Sequence, residues 1–401
     1  MTVWDSLVGQ EAIVDLLEAA ARDAHLVPPG NAMTHAWLMT GPPGSGRSTA
    51  AQAFASALVC PQAGCGNCDA CRDVANGTHS DVEIVRPDGI SYKTADARAL
   101  VSRASMSPTR SQWHVMVIED ADRLTETANN VLLKAIEEPP PRAVWLLCAP
   151  SIEDVLPTIR SRCRHIMLRT PSPTEVAHYL TQHEGIDGAT ALFAARASQG
   201  HVGRARALAT DDGVRQRRQE ILSVPSRLSD LGTCLTAAAE VVEAARDDAA
   251  AVTEPLDEKE RQDLLAAWGE GAEGKGLSGG ARGVKGALKD LEDRQSSRRT
   301  RVQRDQLDRA LVDLAAYYRD VLAVQFGNAT GEGPPVDLIN AEIHADIERT
   351  AAVGGPSATM RRINAIERAR LALAANVAPQ LAIEAMTIDL RNPSLRSSIA
   401  R

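Results

Sequence analysis

A hydrophobic strand that runs straight into a glycine-rich loop and then a helix constrains this 401-residue chain more than any other feature. His35-Ala36-Trp37-Leu38-Met39-Thr40 leads into Gly41-Pro42-Pro43-Gly44-Ser45-Gly46-Arg47-Ser48, with Thr49 next. The order fits G-x-x-x-x-G-K-[ST], except that arginine stands where lysine belongs. Gly41, Gly44 and Gly46 let successive backbone N–H groups turn inward, and a helix starting at Arg47 aims its positive end at the same point, so the loop is expected to cradle phosphate. Ser48 would offer its hydroxyl to magnesium. Arg47 keeps the charge on a longer, planar fork, so the loop remains compatible with ATP while hydrolysis is not expected.

Four cysteines follow as Cys60-x4-Cys65-x2-Cys68-x2-Cys71, with Gly64, Gly66 and Asn67 between them. This spacing folds four thiolates around one tetrahedral ion, and zinc is the natural occupant. With four sulfur ligands the coordination sphere is closed, so the metal would be structural. The opening Met1-Thr2-Val3-Trp4-Asp5 does not read as a signal peptide, and no apolar run approaches membrane-spanning length. A cytoplasmic protein with reduced cysteines is therefore expected. Cys148, Cys163 and Cys234 read as small buried hydrophobes.

Strands alternate with helices through the first half, which predicts a parallel sheet. Asp81–Val85 reads as a strand and Thr94–Ser105 as a helix capped by Thr94. The strand His114–Ile118 ends in Glu119-Asp120, placing two acids at the carboxyl end of a strand, where they face the phosphate loop. A helix over 125–138 stops at Pro139-Pro140-Pro141, and strands follow over 144–148 and 165–168. Ser172, Pro173 and Glu175 mark the start of a small helical lid.

The remainder is alanine- and leucine-rich and reads as helical near 230–250, 257–268, 287–326 and 360–391. A Gly-rich stretch over about 269–286 cannot bury a core and reads as a flexible loop. The basic cluster Arg294, Arg298, Arg299, Arg301 and Arg304 reads as a solvated face, with contact to nucleic acid as the alternative. The net charge of −8 and an aromatic share of 3% argue against a surface that seeks nucleic acid throughout or stacks bases.

Gly9-Gln10, the strand and loop from His35, the four cysteines, Leu132-Leu133-Lys134-Ala135-Ile136-Glu137-Glu138-Pro139-Pro140 and Ser161-Arg162-Cys163 together resemble bacterial clamp-loader subunits of the AAA+ family. The resemblance is specific over about the first 210 residues. It implies an α/β P-loop domain over 1–170 with an inserted zinc module at about 60–79, a helical lid over 171–212, and an all-α collar over 213–401. In active members the acidic pair is Asp-Glu; here it is Glu119-Asp120. The polar sensor at the end of the 144–148 strand falls on Ala149 or Pro150, and the second sensor arginine aligns with Gly203, with Arg204 or Arg206 reached only by a shift. The resemblance thus implies a stator without intrinsic ATPase activity whose Arg162 reaches a neighbour's γ-phosphate. The implied partners are other loader subunits (delta and gamma/tau types) in a hetero-oligomeric ring and, through it, the sliding clamp, primer-template DNA and the DNA polymerase at the replisome. A working motor subunit and an independent zinc-dependent nucleic-acid binder are the alternative readings.

Overall fold

The computed structural model describes residues 2–87, 89, 91–268, 280–330 and 338–392. It divides into two units, Met1–Thr210 and Asp211–Arg401.

The first unit is built on five parallel strands: β1 (Ala36–Thr40), β2 (Val82–Val85), β3 (His114–Ile118), β4 (Ala143–Ala149) and β5 (Arg164–Met167), in the order β2-β3-β4-β1-β5. Every residue of β1, β3 and β4 is buried, as expected of strands covered on both faces. Their alternation sends side chains into two cores. Trp37, Met39, Val115, Val117, Val144 and Leu146 pack on one side with α1 (Glu11–Ala24) and α2 (Arg47–Val59). The helix α3 (Asp69–Ala75) follows the cysteine loop. Leu38, Met116, Ile118, Trp145 and Leu147 pack on the other side with α4 (Thr94–Ala104) and α5 (Glu126–Glu137). The short α6 (Pro157–Arg160) precedes β5. Beyond β5 come α7 (Pro173–Glu184), α8 (Gly188–Ala197) and α9 (Val202–Thr210).

The expected strands and helices appear within a residue or two, with one correction at a cap. Thr94 is the first helical residue of α4 rather than its cap. Lys93 takes the extended cap conformation, and the Asp96 carboxylate accepts its N–H at 2.9 Å. The start of α7 follows the predicted capping box. Ser172 Oγ accepts from the Glu175 N–H at 3.2 Å, and Glu175 Oε2 accepts the Ser172 N–H at 2.7 Å.

The described elements of the second unit are all helical: α10 (Asp212–Arg227), α11 (Leu231–Trp268), α12 (Gly280–Thr330), a short 3-10 turn at Ala341–Ile343, α13 (His344–Val353), α14 (Pro356–Ala374) and α15 (Pro379–Arg391). Its core centres on Leu307, Leu311, Leu314, Tyr317, Tyr318 and Val321 of α12. Two expected segments, 230–250 and 257–268, merge into α11, which carries Pro255 inside it. One proline removes one ladder bond, and alanine- and leucine-rich flanks carry the helix past it. Residues 269–279 of the expected Gly-rich loop lie outside the described residues, and α12 already runs from Gly280. The single segment expected over 360–391 is two helices, separated where Asn376 takes a left-handed φ of 67°. In the basic cluster Arg298 pairs with Glu260 at 2.5 Å and Arg299 with Asp257 at 3.1 Å, so acids of α11 meet arginines of α12. Arg218, only 4% exposed, is held among Glu342, Asn340 and Asp313.

Candidate phosphate loop, metal cluster and interface arginine

The sheet brings the carboxyl ends of β1, β3 and β4 to one edge, where Thr40 pairs with Ala149 and Ile118 with Leu147. The Gly41 N–H donates to the Pro150 carbonyl at 3.2 Å, so the loop leaves β1 tied to the end of β4. Gly44 and Gly46 both hold φ of 87°, where a side chain is strained. At Gly44 a Cβ would also meet His201 Cβ at 2.9 Å. A cavity of about 210 Å³ lies here, lined by Gly44, Gly46, Arg47, Ser48, Thr49 and, from the start of α9, His201.

The charged groups at this edge are engaged with the chain itself. Arg47 Nη1 donates to the Gly41 carbonyl of its own loop. Glu119 receives Arg86 through both oxygens, from Nε at 2.6 Å and Nη2 at 3.0 Å. Asp120 has a left-handed φ of 49° and pairs with Arg123 at 3.8 Å. The position expected to carry a sensor arginine is Gly203, which lines the cavity, while Arg206 is turned away onto Glu184 at 2.6 and 2.7 Å.

Gln10, missed as a site residue by sequence reasoning except as part of a family motif, fastens the loop from behind. It is 4% exposed; its Nε2 donates to the Arg169 carbonyl at 2.6 Å and to the Ser45 carbonyl at 3.3 Å. The phosphate loop and the entry to α7 thus share one side chain. Arg169 in turn grips Glu175 at 2.5 and 2.9 Å. That pairing, with the Ser172 hydrogen bonds, holds the Glu175 carboxyl down at about 2.

The four cysteines converge as expected. Their sulfurs all lie within 4.8 Å of one another, close enough to hold one metal ion. Cys60 Sγ is 3.7 Å from Cys65 Sγ and 3.6 Å from Cys68 Sγ, so none of these pairs is a disulfide. The sequence folds this way because Cys60 ends α2, Ala63, Gly64 and Gly66 take left-handed turns, and Cys68 caps α3, returning Cys71 on its first turn. Backbone N–H groups of Asn67 and Cys68 point at Cys65 and lower its thiol to about 6, whereas burial raises Cys68 and Cys71. Gly64 is locked to the amino end: its carbonyl accepts the Val3 N–H at 3.1 Å, and a Cβ there would lie 2.7 Å from Val3 Cγ2 and 3.3 Å from Trp4 Nε1.

Arg162 lies apart from the phosphate loop, in the turn between α6 and β5. The backbone is fixed by the Arg162 N–H to Ile159 O at 3.0 Å and the Cys163 N–H to Arg160 O at 3.3 Å. Its Nη1 donates to Thr158 O at 2.8 Å and Ser161 Oγ at 3.1 Å, and its Nη2 pairs with Glu137 at 2.6 Å. Burial pushes the neighbouring Cys163 thiol up to about 12, consistent with its packing against the sheet core. Arg86 and Glu137 were not legible as site residues, since nothing in their local sequence names their partners.

Among the described residues no helix is long and apolar enough to cross a membrane. The sequence pattern described as DNA polymerase III, delta subunit, matches residues 10–172. The delta-prime subunit of Bacillus subtilis DNA polymerase III is 32% identical over 155 residues, 38% of this chain and 47% of that protein. The corresponding subunit of Pseudomonas aeruginosa is 29% identical over 200 residues, 48% of this chain and 61% of that one. The gamma/tau subunit of Mycobacterium tuberculosis H37Rv is 32% identical over 188 residues, 45% of this chain and 31% of that protein. The chain therefore spans less than two thirds of the length of each of these relatives. A gamma subunit-related protein of Thermotoga maritima superposes with a TM-score of 0.42 at 16% identity, covering 94% of this chain and 99% of that one. With its parallel sheet, phosphate loop and Ser-Arg-Cys turn in the matched region, the chain is similar over residues 10–172 to clamp-loader subunits of DNA polymerase III, delta-prime subunits among them.

Proposed function

We propose that this protein is a delta-prime-type stator of a clamp loader in DNA replication, a subunit that does not hydrolyse ATP itself and lends Arg162 to the ATP site of a neighbour. The observation that carries the reading is a contrast between two sites. Arg47 and Glu119, which an ATPase would direct at phosphate and magnesium, are engaged by Gly41 and Arg86, and the sensor positions hold Ala149, Pro150 and Gly203. Arg162, by contrast, stands on a surface turn anchored to a rigid helix end. Hydrolysis rests on placed charge, so losing these groups in cis removes the means of catalysis while an arginine supplied in trans is worth about 10³–10⁵ in rate.

The reading makes the other chains of a hetero-oligomeric ring its partners, and through them the sliding clamp and primed DNA, in the bacterial cytoplasm. In the ring, closure of the neighbour against this chain brings the Arg162 guanidinium to the neighbour's γ-phosphate, where it offsets charge that develops as the phosphoryl group departs. Cys60, Cys65, Cys68 and Cys71 hold zinc in this account. A tetrahedral ion with Zn–S bonds of about 2.3 Å sets its ligands about 3.8 Å apart, and the observed 3.6 and 3.7 Å separations fit that edge. Zinc, when bound, supplies a structural cross-link between the ends of α2 and α3. Domains follow the same reading: a P-loop domain to about 170, a lid to about 212 and a collar that joins subunits.

The test is steady-state ATP turnover of the loader reconstituted with clamp and primed DNA, comparing the wild-type chain with Arg162→Ala, beside the isolated chain. Negligible turnover alone and a loss of about 10³-fold or more with Arg162→Ala are expected. Robust turnover by the isolated chain, abolished by Arg47→Ala, would make it a motor subunit and overturn the proposal.

A further inference from the structure

Glu137 sits where helix electrostatics disfavour it. It is the last residue of α5, with Glu138 beside it and three prolines following, and the carboxyl end of a helix favours cations over carboxylates. A residue that breaks a local rule and has a specific partner asks for an account. The partner is Arg162, whose Nη2 lies 2.6 Å from Glu137 Oε1.

The pair contributes little to holding the fold together. The two side chains are 40% and 39% exposed, and ion pairs that wet add little to stability. What the contact fixes is direction. Arg162 is a long side chain with many rotamers, and in this structure three acceptors hold it: Glu137 on Nη2, and Thr158 O and Ser161 Oγ on Nη1. Glu137 itself is carried by a helix whose Leu132, Ala135 and Ile136 are buried in the sheet core. The remaining Nε–H and the second Nη2 N–H have no partner among the described residues, and two donors suffice for a bidentate grip on a phosphate oxygen pair.

We propose that Glu137 is a positioning residue for Arg162: it fixes the guanidinium beside the α5 end so that the arginine enters a neighbour's site already oriented. The proposal rests on the reading of Arg162 as an arginine donated in trans, and it adds the residue that aims it. Pre-placed charge avoids reorganisation at the moment of reaction, and displacement of a catalytic group by about 1 Å costs about a hundredfold in rate. An opposite role is chemically available to the same contact, in which the carboxylate restrains Arg162 and competes with phosphate for it. The charge-neutral variant separates the two, because Glu137→Gln keeps an acceptor at the same reach and removes the negative charge.

The experiment uses the whole reconstituted loader with clamp and primed DNA. It measures kcat and KM for ATP, with assembly followed by size-exclusion chromatography, for Glu137→Ala, Glu137→Gln, Arg162→Ala and the double variant Glu137→Ala/Arg162→Ala. Glu137→Ala is expected to lower kcat by about tenfold to a hundredfold with KM and assembly unchanged. Glu137→Gln should restore most of the rate, and the double variant should be no slower than Arg162→Ala alone. A large loss with Arg162→Ala but none with Glu137→Ala overturns the positioning role and leaves the donated arginine standing. A gain in rate with Glu137→Ala or Glu137→Gln overturns it in favour of restraint. No loss with Arg162→Ala sinks the donated arginine, and the role of Glu137 with it.

Discussion

Stripping metal from the cysteine cluster should release the amino-terminal turn of the protein, and the structure sets the scale. The nine residues Cys60 to Cys68 lie between α2 and α3 without regular structure of their own. Fixing their backbone costs about 9–18 kcal/mol at about 1–2 per residue. A tetrathiolate zinc site would return about 10–16 kcal/mol near neutral pH, so on the zinc reading the two nearly cancel and the loop's order would depend on the ion. Trp4 depends on the loop in turn. It is 5% exposed, its Nε1 lies against Gly64, and the Val3 N–H is bonded to the Gly64 carbonyl. Burying roughly 200 Å² of indole at about 25 cal/mol per Å² stabilises this contact by about 5 kcal/mol. Chelation, or Cys71→Ala, should therefore shift the emission of Trp4 to the red, isolated as the difference between the native chain and Trp4→Phe. It should also open the chain to protease between 61 and 67, with the sheet retained by far-ultraviolet circular dichroism. Metal-free protein that keeps the Trp4 signal and resists cleavage in that loop would refute the reasoning, because the turns at Ala63, Gly64 and Gly66 would then be holding themselves.

Two further outcomes follow from the hydrogen bonds behind the phosphate loop. Gln10→Ala leaves the buried Ser45 carbonyl and the half-buried Arg169 carbonyl without this donor and should cost about 1–3 kcal/mol, read as a drop in the denaturation midpoint at constant slope; no change would remove Gln10 as the fastener. Glu175 titrates at about 2 in the folded chain against an ordinary 4.5. Its contribution is present above pH 4.5 and lost as pH falls toward 2, so Glu175→Gln should flatten the acid limb of the stability curve in that window, and an unchanged limb would contradict the shift.

What was legible in the sequence was what is written locally. The strand, glycines and helix of the phosphate loop are contiguous, and so are the cysteine turns and the Ser172-Pro173-x-Glu175 cap, so spacing alone predicts their geometry. The helix α11 was less legible because a proline reads as a stop. Its cost is one hydrogen bond, and packing against Leu307 and Leu311 of α12 belongs to tertiary structure. Thr94 was misread as a cap because the choice between Lys93 and Thr94 is decided by Asp96 reaching back. The partners that give the site its character were not legible at all. Arg86 meets Glu119, Gln10 meets Arg169 and Glu137 meets Arg162 only after the sheet has assembled.

On the proposed reading, partners of this kind show how one fold could keep a phosphate loop without its chemistry. A phosphate loop without anion leaves a cluster of N–H dipoles, a cation and acids facing one small space, and each group must be satisfied or solvated. In an ATPase the nucleotide and its metal do this. Here Arg47 donates to the Gly41 carbonyl and Arg86 pairs with Glu119, so both groups already have partners within the chain. A nucleotide that entered would have to draw Arg47 from its carbonyl, and a magnesium ion would meet a carboxylate already paired with a guanidinium. Arg162 is also held, by Thr158 O, Ser161 Oγ and Glu137, but on an exposed turn away from the phosphate loop. On the proposed reading, then, the exposed arginine outside the loop acts on a neighbour's phosphate, while the groups at the loop are held by Gly41 and Arg86.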